Sequence, residues 1–199
     1  MAHSTWLQRT TLLLLAAAAL TGCSLPRMID SDVQSFVGNA PALTGASYRF
    51  ERLPSQADSS DQDQIEALAQ EALDHIGLQR NDSAARYLVQ VNVSVHGMRN
   101  PHYRPPRPKL VVGANGLVYE EWPWTMNVET PWFRHRTQLL LRDSGTGQLA
   151  YETAAVFEGP WRDTLNLLPP MLEAALKDYP LPTKRRVVVE LPAAGRDTR

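Results

Sequence analysis

Tyr87-Leu88-Val89-Gln90-Val91-Asn92-Val93-Ser94-Val95 places a tyrosine or a valine at every odd position, with mostly polar side chains between them. Side chains of a strand alternate between faces, so this period of two reads as a strand with one face on a core and the other largely wet. The stretch decides the fold because its neighbours must then supply edge partners and a cover for its apolar face. Farther along, Arg134 to Asp143 and Gln148 to Glu158 flank Ser144-Gly145-Thr146-Gly147, whose glycines permit the positive backbone angles of a tight turn; two long antiparallel strands are predicted. Arg185 to Leu191, centred on Val187-Val188-Val189, reads as a final strand. Upstream, Ala46 to Leu53 alternates Tyr48 and Phe50 against Arg49 and Glu51, a short half-buried strand ended by Pro54.

The cover comes from two helical patterns. Ser60 with Asp63 resembles a capping box, and Ile65, Leu68, Ala69, Ala72, Leu73 and Ile76 share one helical face before Gly77 ends the run. Leu165, Leu168, Leu172, Leu176 and Tyr179 suggest a second helix. Pro169-Pro170 are expected close to its start, where backbone N–H groups have no intrahelical partner to lose. The order strand, helix, hairpin-connected strands, helix, strand implies an α+β fold, mainly an antiparallel sheet with two helices packed on one face.

Several short segments resemble one bacterial family. Tyr48-Arg49-Phe50, Ala85-Arg86-Tyr87-Leu88-Val89, Leu141-Arg142-Asp143-Ser144-Gly145-Thr146-Gly147 and Leu176-Lys177-Asp178-Tyr179-Pro180 look like the bacterial lipoproteins grouped as domain of unknown function 4136. The resemblance covers about Ala46 to Pro180. It departs at Tyr151, where a tryptophan is frequent, and at an enlarged excursion from Pro101 to Trp132. That family carries no established catalytic residues, so the resemblance implies none here.

The N-terminus addresses location. Thr10 to Leu20 is a run of weakly polar to apolar residues, shorter than the roughly 20 needed to span a membrane but suited to the apolar centre of an export signal, with Arg9 before it. Leu20-Thr21-Gly22-Cys23 resembles the lipobox of bacterial lipoproteins, and Cys23 is the only cysteine in 199 residues. By that resemblance residues 1–22 are a removable signal peptide and Cys23 carries the lipid that holds the protein to a membrane. Two or three acyl chains suffice for stable anchoring where one does not. Ser24 in place of an aspartate favours, in a Gram-negative host, the periplasmic face of the outer membrane. Residues 23–44 contain Pro26, Gly38 and Pro41 without a sustained period and are expected to be a flexible tether. Residues 45–191 would then be the periplasmic domain and 192–199 a loose tail.

Charge and motifs exclude several function classes. With 20 basic against 21 acidic residues the chain lacks the basic excess of a nucleic-acid binder. A lone cysteine offers no intramolecular disulfide. His96, His102 and His135 are the only conceivable histidine cluster, with no carboxylate or cysteine at ligand spacing, so neither a metal nor a cofactor is expected. Gly-x-Ser-x-Gly is absent, no glycine-rich phosphate loop occurs, and Glu120-Glu121 would point to opposite faces of a strand.

What remains is Arg99 to Phe133. No acidic residue occurs from Ser83 to Tyr119, a stretch holding Arg86, Arg99, Arg104, Arg107 and Lys109, while prolines 101, 105, 106 and 108 favour an extended, stiff segment. Trp122, Trp124 and Trp132 follow. Arginine with tryptophan is the pairing interfaces use as anchors. These residues are the candidate binding surface; alternatively the tryptophans pack a small satellite core under a long loop. The expectation is a non-enzymatic, lipid-anchored protein binding a protein or cell-envelope component. An enzyme acting on an envelope polymer or lipid, and a carrier of a small apolar ligand, are the competing readings.

Overall fold

The computed structural model describes residues 27–40, 44–57, 59–124 and 127–191. The signal peptide, Cys23 and the tail 192–199 lie outside the described residues.

The alternating stretch becomes the long strand it predicts. In chain order the strands are β1 (Arg27–Val37), β2 (Ser47–Phe50), β3 (Gln79–Arg80), β4 (Tyr87–Met98), β5 (Lys109–Val112), β6 (Val118–Glu121), β7 (Trp132–Asp143), β8 (Leu149–Gly159) and β9 (Thr183–Leu191). The helices are α1 (Gln62–His75) and α2 (Thr164–Leu176). Seven strands form one sheet in the order β3-β2-β4-β7-β8-β1-β9, while β5 and β6 form a separate two-stranded sheet. The β4–β7, β7–β8 and β1–β8 pairs are antiparallel. β2 pairs parallel with both β3 and β4, so the sheet, though mostly antiparallel as expected, is mixed at this edge. The cause is local. α1 and the turn at Gly77 carry the chain from β2 back to the start of β3, a crossover that delivers a parallel neighbour.

Both helices serve one core. Ala69 and Leu73 of α1 join Leu168, Leu172 and Leu176 of α2 over Val89, Val91, Leu139, Leu141 and Tyr151 of the central strands. These strand residues sit on successive rows, Val89 beside Leu141 and Leu141 beside Tyr151, which sets an unbroken apolar face against the helices. At the far end of β7–β8, Asp143 accepts from the amides of Gly145 and Thr146 and pairs with Arg86, fixing the turn to the next strand.

Three expectations need correction. The segment read as a tether contains β1, which lies between β8 and β9 inside the sheet, with Asp32 opposite Val156 and Val37 opposite Tyr151. Its inward positions are Ile29, Ser31, Val33 and Ser35, and the two serines broke the apolar alternation that marks a strand. Ser35 earns its burial by accepting from the Thr183 amide at 2.8 Å and donating to the Leu181 carbonyl at 3.2 Å. The capping box at Ser60 does not form: α1 starts after Asp61, and Asp63 and Glu66 are instead held by Arg52 at 2.5 and 2.6 Å. Finally, α2 begins at Thr164, well before Pro169-Pro170, capped by the Asp163 carboxylate, which accepts from the Asn166 amide. Burial of Leu167, Leu168, Pro170, Met171 and Leu172 offsets the two helix hydrogen bonds the prolines cannot donate.

Candidate functional site

Leaving β4 after Met98, the chain makes its excursion and returns at Trp132, directly opposite Met98. Its two legs are tied together. The Asn100 amide donates to Glu129 at 2.8 Å, the Asn100 side chain to the Thr130 carbonyl at 3.1 Å, and the Asn127 side chain to the Arg104 carbonyl at 2.6 Å. The Tyr103 hydroxyl donates to the Asn127 carbonyl. These bonds turn a proline-rich segment, which cannot enter a ladder, into an ordered stalk. Beyond it β5 and β6 pair with Lys109 opposite Glu121, Leu110 opposite Glu120, Val111 opposite Tyr119 and Val112 opposite Val118.

Directly paired residues share a face. One face of this hairpin therefore carries Leu110, Val112, Val118 and Glu120, and the other carries Lys109, Val111, Tyr119 and Glu121. The first is the barer of the two: Leu110 and Val112 are each 71 % exposed and Val118 is 62 % exposed, against 42 % for Val111 and 47 % for Tyr119. The Tyr119 ring lies so close over Gly113 that a Cβ there would meet it at 2.6 Å, which is why the turn needs glycine. Trp122 is exposed and Trp124 fully so. The satellite core is thus not what these two tryptophans build. Only Trp132 packs, half-buried edge-on to His102 with ring centroids 5.2 Å apart. Among the described residues its indole N–H has no hydrogen-bond partner. Arg99, Arg104 and Arg107 are all exposed on the first leg, and Arg104 donates to the Pro101 carbonyl.

Sequence reasoning missed a second feature at this end of the sheet. Met28, Asp30, Trp132, Phe157, Trp161 and Val188 line an open cleft of about 430 Å³, with Phe157 and Trp161 stacked at 5.8 Å. Trp161 in Gly159-Pro160-Trp161, just past a strand end, was the available signal. A second cleft, of about 420 Å³, lies on the sheet face away from the helices, among Asp32, Gln34, Phe36, Arg136, Glu152 and Lys184.

The remaining candidates separate. His96 is opposite Arg134 and exposed, whereas His135 is buried on the helix side with a ring nitrogen 2.8 Å from the Trp161 carbonyl oxygen. No group of three or more histidine, cysteine or carboxylate side chains among the described residues could hold a metal ion. Glu120 and Glu121 face opposite sides of the hairpin, as the alternation predicts, and both are exposed.

A family match decides where this fold belongs. Residues 33–181 match the family described as domain of unknown function, DUF4136. The chain belongs to that family. The DUF4136 match reaches into β1, beyond the Ala46 to Pro180 span of the sequence resemblance. Among solved structures, a PDZ domain protein from Parabacteroides distasonis is similar at 13 % identity and a TM-score of 0.43, over 79 % of this chain and 39 % of that one. The chain therefore spans well under half of that protein. PelC dodecamers from Paraburkholderia phytofirmans in two crystal forms are similar at 12 % identity, with TM-scores of 0.43 and 0.42, over 73 % of this chain and 94 % of theirs. No curated protein matches the chain.

Proposed function

We propose that this chain is a lipid-anchored envelope protein whose DUF4136 domain is a non-enzymatic binding module, acting at the periplasmic face of an outer membrane through residues 99–133. The observation that carries the reading is the contrast between core and excursion. Leu73, Leu139, Leu141, Leu168 and Leu172 of the main sheet and helices are fully buried, yet Leu110, Val112, Val118, Trp122 and Trp124 stand in solvent on an ordered stalk. A two-stranded hairpin is marginal in water by itself, so apolar side chains kept on one are best explained by something that covers them. The carrier reading is less favoured because Leu73, Leu139, Leu141, Leu168 and Leu172 fill the space between sheet and helices where a ligand would sit.

Anchoring by Cys23 is supported by Leu20-Thr21-Gly22-Cys23, which resembles the lipobox of bacterial lipoproteins. Cys23→Ala is expected to abolish incorporation of labelled fatty acid and to release the domain from membranes. Label persisting in that variant contradicts the anchor. For the binding surface, replacing Trp122 and Trp124 by Ala should lose association with envelope fractions while the thermal transition stays within about 1 kcal/mol of the parent, since neither side chain is packed. If instead the double variant loses folding stability and binds as before, the excursion is structural.

A further inference from the structure

We infer that the exposed face of the β5–β6 hairpin docks on the lipid surface of the membrane that holds the anchor; the inference rests on the proposed Cys23 lipidation and names what the 99–133 surface binds. Two independent observations lead there, one from topology and one from chemistry.

Topologically, the start of β1 and the root of the excursion are at the same end of the sheet. β7 pairs Phe133 with Gly159 of β8, β4 pairs Met98 with Trp132, and β1 runs antiparallel to β8. Met28 and Asp30 accordingly line one cleft with Trp132, Gly159 and Trp161. β1 begins at Arg27, leaving only residues 24–26 between it and Cys23. An extended chain spans at most about 3.6 Å per residue, so Met28 can lie no more than about 18 Å from the Cys23 backbone. A lipidated Cys23 therefore brings this end of the sheet, with its excursion, to the bilayer. The opposite end, where Asp143 and Gly147 make their turn, is held away by the length of the strands.

Chemically, the hairpin has what an interfacial element needs. Leu110, Val112 and Val118 share the bare face and Glu120 is the one charge upon it. Leu117 extends the apolar surface at the turn, and Trp122 and Trp124 follow the strand; tryptophan and tyrosine concentrate at the boundary between headgroups and acyl chains. Several of the turn's polar groups are paired within the hairpin. The Asn115 side chain donates to the Tyr119 hydroxyl at 2.5 Å and accepts from the Leu117 amide at 3.1 Å, and the Gly113 amide donates to the Leu117 carbonyl at 2.8 Å. Polar atoms already paired lose least on leaving water. Arg99, Arg104 and Arg107 on the adjoining leg, all exposed, complement anionic phospholipid headgroups, whereas Lys109 lies on the other face of the hairpin opposite Glu121.

The test uses the full-length protein purified from membranes and reconstituted into vesicles containing lipids brominated near the headgroup end of their chains, with the mass of the Cys23 peptide read on the same sample. Bromine quenches indole fluorescence only at near contact. The expected result is strong quenching in phosphatidylglycerol vesicles, most of it lost in the Trp122→Phe/Trp124→Phe double variant, which leaves Trp132 and Trp161 once residues 1–22 are removed; Trp6→Phe in every sample takes the signal peptide's own tryptophan out of the reading. Arg104→Ala/Arg107→Ala should erase the excess of quenching in phosphatidylglycerol over phosphatidylcholine. Circular dichroism of each variant reports that it remains folded, and Val118→Glu gives a second route to the same loss through a residue that is not itself the reporter. A lipidated Cys23 with quenching indifferent to Trp122 and Trp124 overturns the inference and leaves the anchor standing. So does a photo-reactive side chain placed at Val118 that, irradiated in native envelopes, cross-links to a protein and not to lipid. An unmodified Cys23 with quenching that depends on both tryptophans overturns the anchor and supports the lipid-facing hairpin.

Discussion

Asp143 shows how one side chain can hold a turn and set a pH limit. Its carboxylate accepts from the Thr146 amide, the Gly145 amide and the Thr146 hydroxyl, and Arg86 lies 2.8 Å away. These partners, the Thr146 amide foremost, hold the carboxyl below the usual carboxylate range against the opposing effect of burial. A carboxyl more acidic in the folded than in the unfolded chain contributes stability that is complete above the unfolded value near 3.9 and is lost as pH falls through the folded one. Denaturant midpoints should therefore fall on acidification below about pH 4. Asp143→Asn, less stable at neutral pH, should flatten that decline; an unchanged acid profile in the variant contradicts the assignment. Single residues also mark where the sequence could be read and where it could not. Tyr87 to Val95 announced a strand because valine recurred at its inward positions. Ser31 and Ser35 hid β1, because a buried serine looks like loop; the partners that hold Ser35, at Leu181 and Thr183, are distant in the chain. Trp122 and Trp124 were legible as residue types, but whether they pack or stand free depends on a register no local pattern gives.

Among the elements, α2 contradicts its own propensity. Pro169 and Pro170 sit in its second turn, where the carbonyls of Leu165 and Asn166 would otherwise accept backbone bonds. The helix persists because Asp163 caps its start and its buried face closes the core over β7 and β8, with Thr153 donating to the Ala175 carbonyl at 2.8 Å. Asp163→Ala should cost about 0.5–2 kcal/mol of unfolding free energy. Pro169→Ala should raise stability, by up to about 3 kcal/mol, since it restores a donor at a half-buried position. Urea titration of both variants checks the pair. A Pro169→Ala protein less stable than the parent would mean the ring's packing outweighs the restored bond. β2, β4, the β7–β8 hairpin, β9 and the two helices were legible in outline; the boundaries of α2 were not, because a rule about prolines in isolation does not weigh tertiary burial.

For the whole molecule, the position of β1 changes what counts as the domain. Residues 28–190 make one folded unit, and β1 separates β8 from β9 within it. A chain beginning at Pro41 deletes that strand and leaves two unsatisfied edges with Ile29 and Val33 missing from beneath the sheet. Such a chain should show no cooperative thermal transition, whereas one beginning at Ser24 should unfold cooperatively. Equal cooperativity in the two would make β1 dispensable. On the proposed lipidation of Cys23, the same placement leaves only residues 24–26 between the anchor and β1. The fold class, the long hairpin and the unusual composition of residues 99–133 could be read from sequence. The common end shared by β1 and the excursion could not, because it follows from strand order. The central claim is that the β5–β6 hairpin is a recognition surface covered in its working state. Hydrogen–deuterium exchange of the full-length protein, on envelope membranes and again in detergent, tests it most directly. A bare two-stranded hairpin opens readily and exchanges fast. The account predicts that residues 109–121 are strongly slowed on membranes and fast in detergent, with β4, β7 and β8 equally protected in both. Equal, fast exchange of residues 109–121 in the two conditions would contradict it.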